Sequence, residues 1–229
     1  MMTTDTRFRN RTEAGQLLAR KLTQYANRSD AIVLGLPRGG VPVAFEVATA
    51  LNLPLDICLV RKLGVPGHQE LAMGAIALGG VQILDDDVLA WLRITGHTIG
   101  EVAAQELQEL QRRDRVYRGN RPQPSLRDRV VILVDDGLAT GSTMRAAIGV
   151  VKPQQPQRIV VAVPVASPET SEQLRTEVDE VVCLITPPLF YAIGMWYEEF
   201  AQTTDAQVCE LLTKTQVDRA DRVASRIAS

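Results

Sequence analysis

Aromatic side chains are scarce in this chain, ten in 229 residues, and five of them fall between positions 190 and 200. Cysteine is scarcer still. Cys58, Cys183 and Cys209 are far apart, no CxxC pair occurs, and the histidines are His68 and His97 alone. That excludes a structural zinc motif and a disulfide framework, and it fits a reducing compartment. Charge of one sign is also missing. The formal net charge of -2 provides no global basic field, so nucleic acid is not an expected partner. No apolar run is long enough to span a bilayer, and the opening MMTTDTRFRN has no apolar core of a signal sequence. A cytoplasmic protein without membrane partners is therefore expected. No Gly-Lys-Ser/Thr occurs, which excludes a Walker A loop, and no GxGxxG is present. What remains is ordinary globular composition, 45% apolar and 23% charged, at a length that suits one domain. The expectation is one domain over 1–229, with a core of about 30–185 and a C-terminal hood and tail of about 186–229.

Hydrophobic runs and turn residues predict the elements. Asn10-Arg-Thr-Glu13 resembles a capping box before a helical pattern over Ala14 to Tyr25. Ala31 to Leu36 reads as a buried strand stopped by Pro37 and Gly39-Gly40, and Val41 to Leu51 as the helix after it. Leu55 to Arg61 is expected to be a second buried strand, followed by a loop over Gly64 to Glu70. Residues 73–78 and 81–84 flank Gly79-Gly80 as a hairpin. Thr98 to Glu101 is expected to cap a long charged helix ending near Tyr117. Strands follow at Val130 to Val134, Arg158 to Val163 and Val178 to Ile185, with helices at Ser142 to Val151 and near Pro168 to Thr176. The tail from Asp205 to Ser229 is helical in pattern. Short Val/Ile/Leu runs alternating with helices imply an α/β fold, a mostly parallel sheet with helices on both faces. Such sheets bind ligands at the carboxyl ends of their strands.

The segment Val130-Val-Ile-Leu-Val-Asp135-Asp136-Gly137-Leu-Ala139-Thr140-Gly141-Ser142-Thr143 carries the most chemistry. A strand feeds two adjacent carboxylates, then a small-residue turn, then a helix. The turn offers backbone N–H groups and three hydroxyls at a helix N-terminus, which attracts phosphate through free amides and the helix dipole. Gly141 lets the backbone come close. Asp135 and Asp136 disfavour a phosphate but accept hydrogen bonds from sugar hydroxyls. A ligand with a phosphate at one end and a diol in its middle, such as a ribose 5-phosphate, meets both requirements.

This segment resembles the phosphoribosyl pyrophosphate motif of the type I phosphoribosyltransferases. The stretches Leu36-Pro-Arg38-Gly39-Gly40-Val-Pro and Phe190-Tyr191-Ala-Ile-Gly resemble a bacterial group of predicted phosphoribosyltransferases within that family. The resemblance covers roughly residues 30 to 200. It implies that Asp135 and Asp136 hold the ribose hydroxyls and that Gly137, Ala139, Thr140, Gly141, Ser142 and Thr143 form the loop around the 5′-phosphate. It also implies that the loop with Arg38, Gly39 and Gly40 receives pyrophosphate. Many family members acting on purines carry an acid directly before the threonine, a candidate general base. This chain has Ala139 there, which puts purine-type chemistry in doubt.

Arg61 and Lys62, at the end of the expected second strand, are candidate catalytic cations for a leaving pyrophosphate; an ordinary solvated pair is the alternative. Gly64 to Glu70 resembles a mobile lid, with His68 within reach of substrate. The aromatic stretch, with Tyr191 and Trp196, resembles a hood over an acceptor ring; a hydrophobic cluster pinning the tail remains equally open. The expected reaction is displacement at the anomeric carbon with inversion, through an oxocarbenium-like state. Mg²⁺ is the cofactor the resemblance implies, held by the donor with Asp135 and Asp136 contributing through water. The implied partners are two small molecules, the donor and an unidentified nitrogen acceptor, and a homodimer is compatible with the reading. Two rivals stand beside it: a regulator that senses the donor without turnover, and a phosphate-ester hydrolase with Asp135 as nucleophile.

Overall fold

The computed structural model describes residues 7–119 and 121–215. In chain order the elements are α1 (Arg11–Ala19), β1 (Ala31–Gly35), α2 (Gly40–Leu51), β2 (Leu55–Ile57), β3 (Val60–Val65), β4 (His68–Ala77), β5 (Gln82–Leu84), α3 (Asp86–Leu92), α4 (Gly96–Arg118), β6 (Val130–Val134), α5 (Ser142–Val151), β7 (Arg158–Val165), α6 (Pro168–Arg175) and β8 (Glu180–Ile185). Residues 205–215 are again helical. The strands form a five-stranded sheet in the order β2-β1-β6-β7-β8, with every pair parallel, and an antiparallel sheet β3-β4-β5.

The parallel sheet is covered on both faces, and its strands show why they read as continuous apolar runs. Val33, Ile132 and Val160 face a core shared with α1 and α2, whereas Ile32, Val131, Leu133 and Val161 face a second core completed by α5 and Leu174 of α6. Both sides of each strand are therefore buried, and polar alternation disappears. The chain crosses from β1 to β2 on one side and returns to β6 on the other side of β1. The boundary between β1 and β6 is thus a topological switch point. Their register pairs Gly35 with Val134, so the loops after both strands start side by side.

Four expectations need correction. Leu55 to Arg61 is not one strand: Ile57 ends β2, Cys58 donates its N–H to the Gly35 carbonyl at 3.0 Å, and the chain departs into β3 of the other sheet. Gly64 to Glu70 is not an extended loop, because β3 runs to Val65 and β4 starts at His68 around a turn at Pro66-Gly67. The long helix starts earlier than expected, with Thr95 as its cap: its hydroxyl accepts from the Thr98 amide at 3.3 Å. The short α3, capped by Asp85, was not expected; Val88, Leu89 and Leu92 pack against the core and Trp91 is exposed. In the tail, Thr204 and Gln207 form a reciprocal capping box, with N–H to side-chain distances of 2.9 and 3.2 Å. The expected helix beyond position 215 lies outside the described residues.

Candidate functional site at the β1–β6 switch point

The turn after β6 presents donors to solvent. Gly141 adopts a left-handed conformation (φ 72°) as N-cap of α5 and supplies no side-chain cap. The first-turn amides of α5 therefore have no intrahelical acceptor. Thr140, Ser142 and Thr143 are exposed there, and the hydroxyls of Thr140 and Ser142 lie 3.0 Å apart. Behind the turn, the Ala139 carbonyl accepts from the Thr170 hydroxyl at 2.7 Å and from Ser167 at 3.2 Å, while Arg145 donates to the Thr140 carbonyl at 2.9 Å. The carbonyls are thus drawn away from the cradle and the donors left toward solvent.

The acid pair sits deeper. Asp136 donates its amide to Asp135 Oδ1 at 2.9 Å, and Asp135 itself is half-buried. Burial raises the Asp135 carboxyl well above the ordinary range, and the neighbouring Asp136 charge adds to this. Asp136 is also raised by burial, against the pull of a guanidinium. That guanidinium belongs to Arg11 of α1, whose Nε and Nη2 reach Asp136 Oδ2 at 2.8 and 2.7 Å. Arg11 also donates to the Ala201 carbonyl at 2.7 Å and stacks over the Phe200 ring at 3.9 Å. Tyr197 donates its hydroxyl to the Asp136 carbonyl at 2.6 Å. On the opposite side lies Gly39, where a Cβ would stand 2.1 Å from Asp136 Oδ2. Only glycine lets the loop after β1 lie against that carboxylate.

Sequence reading missed Arg11 and Tyr197. One signal was available for Arg11: a cation in the first turn of a helix opposes the macrodipole, so it has another employment. The pair is almost closed to solvent, at 12% and 11% side-chain exposure for Arg11 and Asp136. Arg11→Met is expected to lower stability by about 3–5 kcal/mol, the usual loss when one partner of a buried pair is removed. A urea midpoint equal to that of the parent chain would show that the pair does not hold α1 to the site.

The predicted cations are brought to the cradle. A cleft of about 1020 Å³ is lined by Pro37, by Arg61 and Lys62 of β3, by Thr140, Ser142 and Thr143, and by one face of α4. Arg61 is not solvated on its own, since its Nε contacts Glu106 of α4 at 2.5 Å. Arg38 reaches Asp205 at 3.7 Å, and the peptide joining Pro37 to Arg38 is cis. His68 is exposed at the start of β4.

The aromatic stretch divides. Tyr191 is exposed, at 77%. Trp196, Tyr197 and Phe190 pack with Phe8 and Ala14, and Phe8 exchanges backbone bonds with Trp196 and Glu198 at 2.8 and 2.9 Å. Neither Tyr191 nor Trp196 lines the cleft that holds the cradle and the cations. The cluster pins the segment entering α1, which is how Arg11 is delivered to Asp136.

Comparison with known proteins identifies the family. The family model of the phosphoribosyl transferase domain matches residues 9–194, and the chain belongs to that family. It is 44% identical over 214 residues, 93% of its length, to the Mycobacterium tuberculosis (strain H37Rv) protein named "Putative phosphoribosyl transferase Rv0571c". The chain spans about half (48%) of the length of that relative. The crystal structure of TT1426 from Thermus thermophilus superimposes with a TM-score of 0.81 at 45% identity, covering 91% of this chain and 98% of the other. No helix among the described residues is long and apolar enough to cross a membrane.

Proposed function

We propose that the chain transfers a 5-phosphoribosyl group from phosphoribosyl pyrophosphate to a nitrogen acceptor of the nucleobase class. The supporting observation is the juxtaposition at one switch point of an anion-binding helix start, a half-buried carboxylate and a cation-lined cleft. In this reading the amides and hydroxyls of Thr140 to Thr143 grip the 5′-phosphate. Asp135 accepts a sugar hydroxyl, and Asp136, held by Arg11, fixes the turn that presents it. The bond from the anomeric carbon to the pyrophosphate oxygen breaks as a bond to the acceptor nitrogen forms. Arg38, Arg61 and Lys62 take up the negative charge leaving with pyrophosphate. Position 139 offers only a carbonyl, already bonded to Thr170 and Ser167. The acceptor nitrogen must therefore attack without a base from that position.

Among the described residues no group of three or more His, Cys, Asp or Glu could hold a metal ion. In this reading Mg²⁺ would arrive on the donor, Asp135 and Asp136 would hold it through water, and the ion would supply charge neutralisation at the pyrophosphate. Donor affinity is accordingly expected to fall in excess chelator while ribose 5-phosphate affinity stays constant. Equal donor affinity with and without chelator contradicts this. The reaction itself is tested by incubating the chain with Mg²⁺, labelled donor and a panel of bases, and measuring pyrophosphate release. Release dependent on one base establishes transfer and names the acceptor. Binding of donor without release with any base makes the chain a donor sensor instead.

A further inference from the structure

Helix α4 lies outside the parallel sheet, yet one of its faces forms a wall of the cleft. Thr98, Glu101, Val102, Gln105, Glu106 and Arg113 line it, positions that recur three or four residues apart until the last. The gap before Arg113 is bridged by Glu109, whose Oε1 accepts from Arg113 Nε at 2.7 Å. Arg112 Nε grips the other oxygen of Glu109 at 2.7 Å, so this carboxylate is clamped and holds the Arg113 side chain in one place. Arg113 is only 29% exposed, against 54% for Arg112, and its bond to Glu109 is made through Nε. Its two terminal nitrogens, the fork that matches phosphate oxygens, are engaged by no side chain among the described residues.

The position of Arg113 along the cleft follows from its neighbours. Pro37, in the loop after β1, lines the same cleft. One turn along α4, the Tyr117 hydroxyl donates to Asp205 at 2.6 Å, and Arg38 approaches the same Asp205 oxygen at 3.7 Å. The charges of Arg113 and Arg38 both act on the Tyr117 phenol, easing a rise to about 12 caused mainly by burial. Arg113 therefore belongs with Arg38 and the loop after β1. The 5′-phosphate has its own donors at the start of α5, and Arg38 is partly occupied by Asp205. With its Nε bonded to Glu109, Arg113 keeps its terminal fork for an anion in the same cleft.

We propose that Arg113 of α4 is a pyrophosphate-binding residue, positioned by Glu109, that completes with Arg38 a two-arginine wall for the leaving group. The inference rests on the donor-site reading given under Proposed function and adds to it a residue from an element outside the sheet. Arginine suits the task because its guanidinium stays charged and bonds two oxygens at once.

The test is calorimetric titration of the full chain in Mg²⁺ with three probes: ribose 5-phosphate, inorganic pyrophosphate and phosphoribosyl pyrophosphate. Arg113→Met is expected to weaken binding of pyrophosphate and of the intact donor by roughly 10- to 100-fold, the range of a lost charge-assisted contact. Ribose 5-phosphate should bind as before. Arg115→Met, at an exposed position of α4 that bonds the Gln111 carbonyl and does not line the cleft, should change none of the three, and Arg113→Lys should restore part of the loss. Equal loss for ribose 5-phosphate would reveal a merely structural role and overturn the proposal, as would unchanged pyrophosphate affinity. If Arg113→Met does not fold, Arg113→Lys carries the same comparison, and a pyrophosphate affinity equal to wild type then overturns it. Wild-type chain that binds pyrophosphate but neither sugar ligand would sink the donor-site reading while leaving Arg113 tested by pyrophosphate alone. Wild-type chain that binds none of the three overturns both.

Discussion

Ser142→Glu is expected to abolish binding of ribose 5-phosphate and of its pyrophosphate derivative alike, while the melting temperature stays close to the parent value. Both ligands carry the same 5′-phosphate, which in the proposed reading meets the start of α5. Ser142 is the first residue of that ten-residue helix, exposed, with Gly141 as a cap that supplies no side chain. The helix start presents amides without intrahelical acceptors, that of Ser142 meeting the Thr140 hydroxyl at 3.4 Å, and about half a unit of positive charge. A glutamate there satisfies the amides itself and puts a negative charge at contact distance from a dianion. Two like charges 4 Å apart repel by about 4 kcal/mol at an effective dielectric of 20, more than a 100-fold loss. The same acid is locally favourable to the helix by roughly 0.3–1 kcal/mol. That offsets the hydroxyl contact between Thr140 and Ser142, which is solvent-exposed. Titration calorimetry and a thermal melt read the two outcomes together. Wild-type affinity for ribose 5-phosphate in the variant would place the phosphate elsewhere and remove the main physical support for the donor-site reading.

The second large effect separates two adjacent acids that look equivalent in the sequence. Asp135→Asn is expected to weaken donor binding by roughly 10- to 100-fold, since a charge-assisted bond from a sugar hydroxyl becomes a neutral one. It should hold or raise the melting temperature at neutral pH. Burial raises the Asp135 pKa above its unfolded value, so the ionised carboxylate carries a desolvation penalty that the unfolded chain lacks. Removing the charge removes the penalty. Asp136→Ala is expected to behave in the opposite sense and cost about 3 kcal/mol of stability, because it strands the Arg11 guanidinium in a nearly closed site. Denaturant melts of both variants, with donor titrations, separate the roles. Indistinguishable melting of the two would mean that Arg11 does not distinguish them.

The sequence was most informative where the signal is local. Strands β1 and β6 are runs buried on both faces, bounded by glycine, proline and acid, and they were legible within about a residue. The turn from Thr140 to Thr143 was legible because it is a property of four consecutive residues at the start of a helix. Boundaries failed where one hydrophobic run serves two sheets. Nothing in Leu55-Asp-Ile-Cys-Leu-Val-Arg61 marks Cys58 as the departure point, because both sheets reward the same residue types. The loop expectation failed similarly: Gly64, Pro66 and Gly67 suit a loop and a tight hairpin equally well, and pairing with the strand His68–Ala77 decides for the hairpin.

By itself, then, the sequence determined the α/β architecture, the small-residue turn at the start of α5 and the proximity of two carboxylates, all of which follow from neighbours along the chain. Tertiary structure decided which carboxylate carries the buried ion pair, since Arg11 reaches Asp136 across 125 positions of sequence. It decided that the aromatic stretch anchors Phe8, through contacts no periodicity encodes. It also decided which cations of the long helix face the cleft. Arg112 and Arg113 are adjacent in sequence and alike in chemistry, and only the rotation of α4 against β3 exposes one to solvent and lines the cleft with the other. Charged side chains at a site are selected by what lies opposite them, and that information resides in the packing of distant elements.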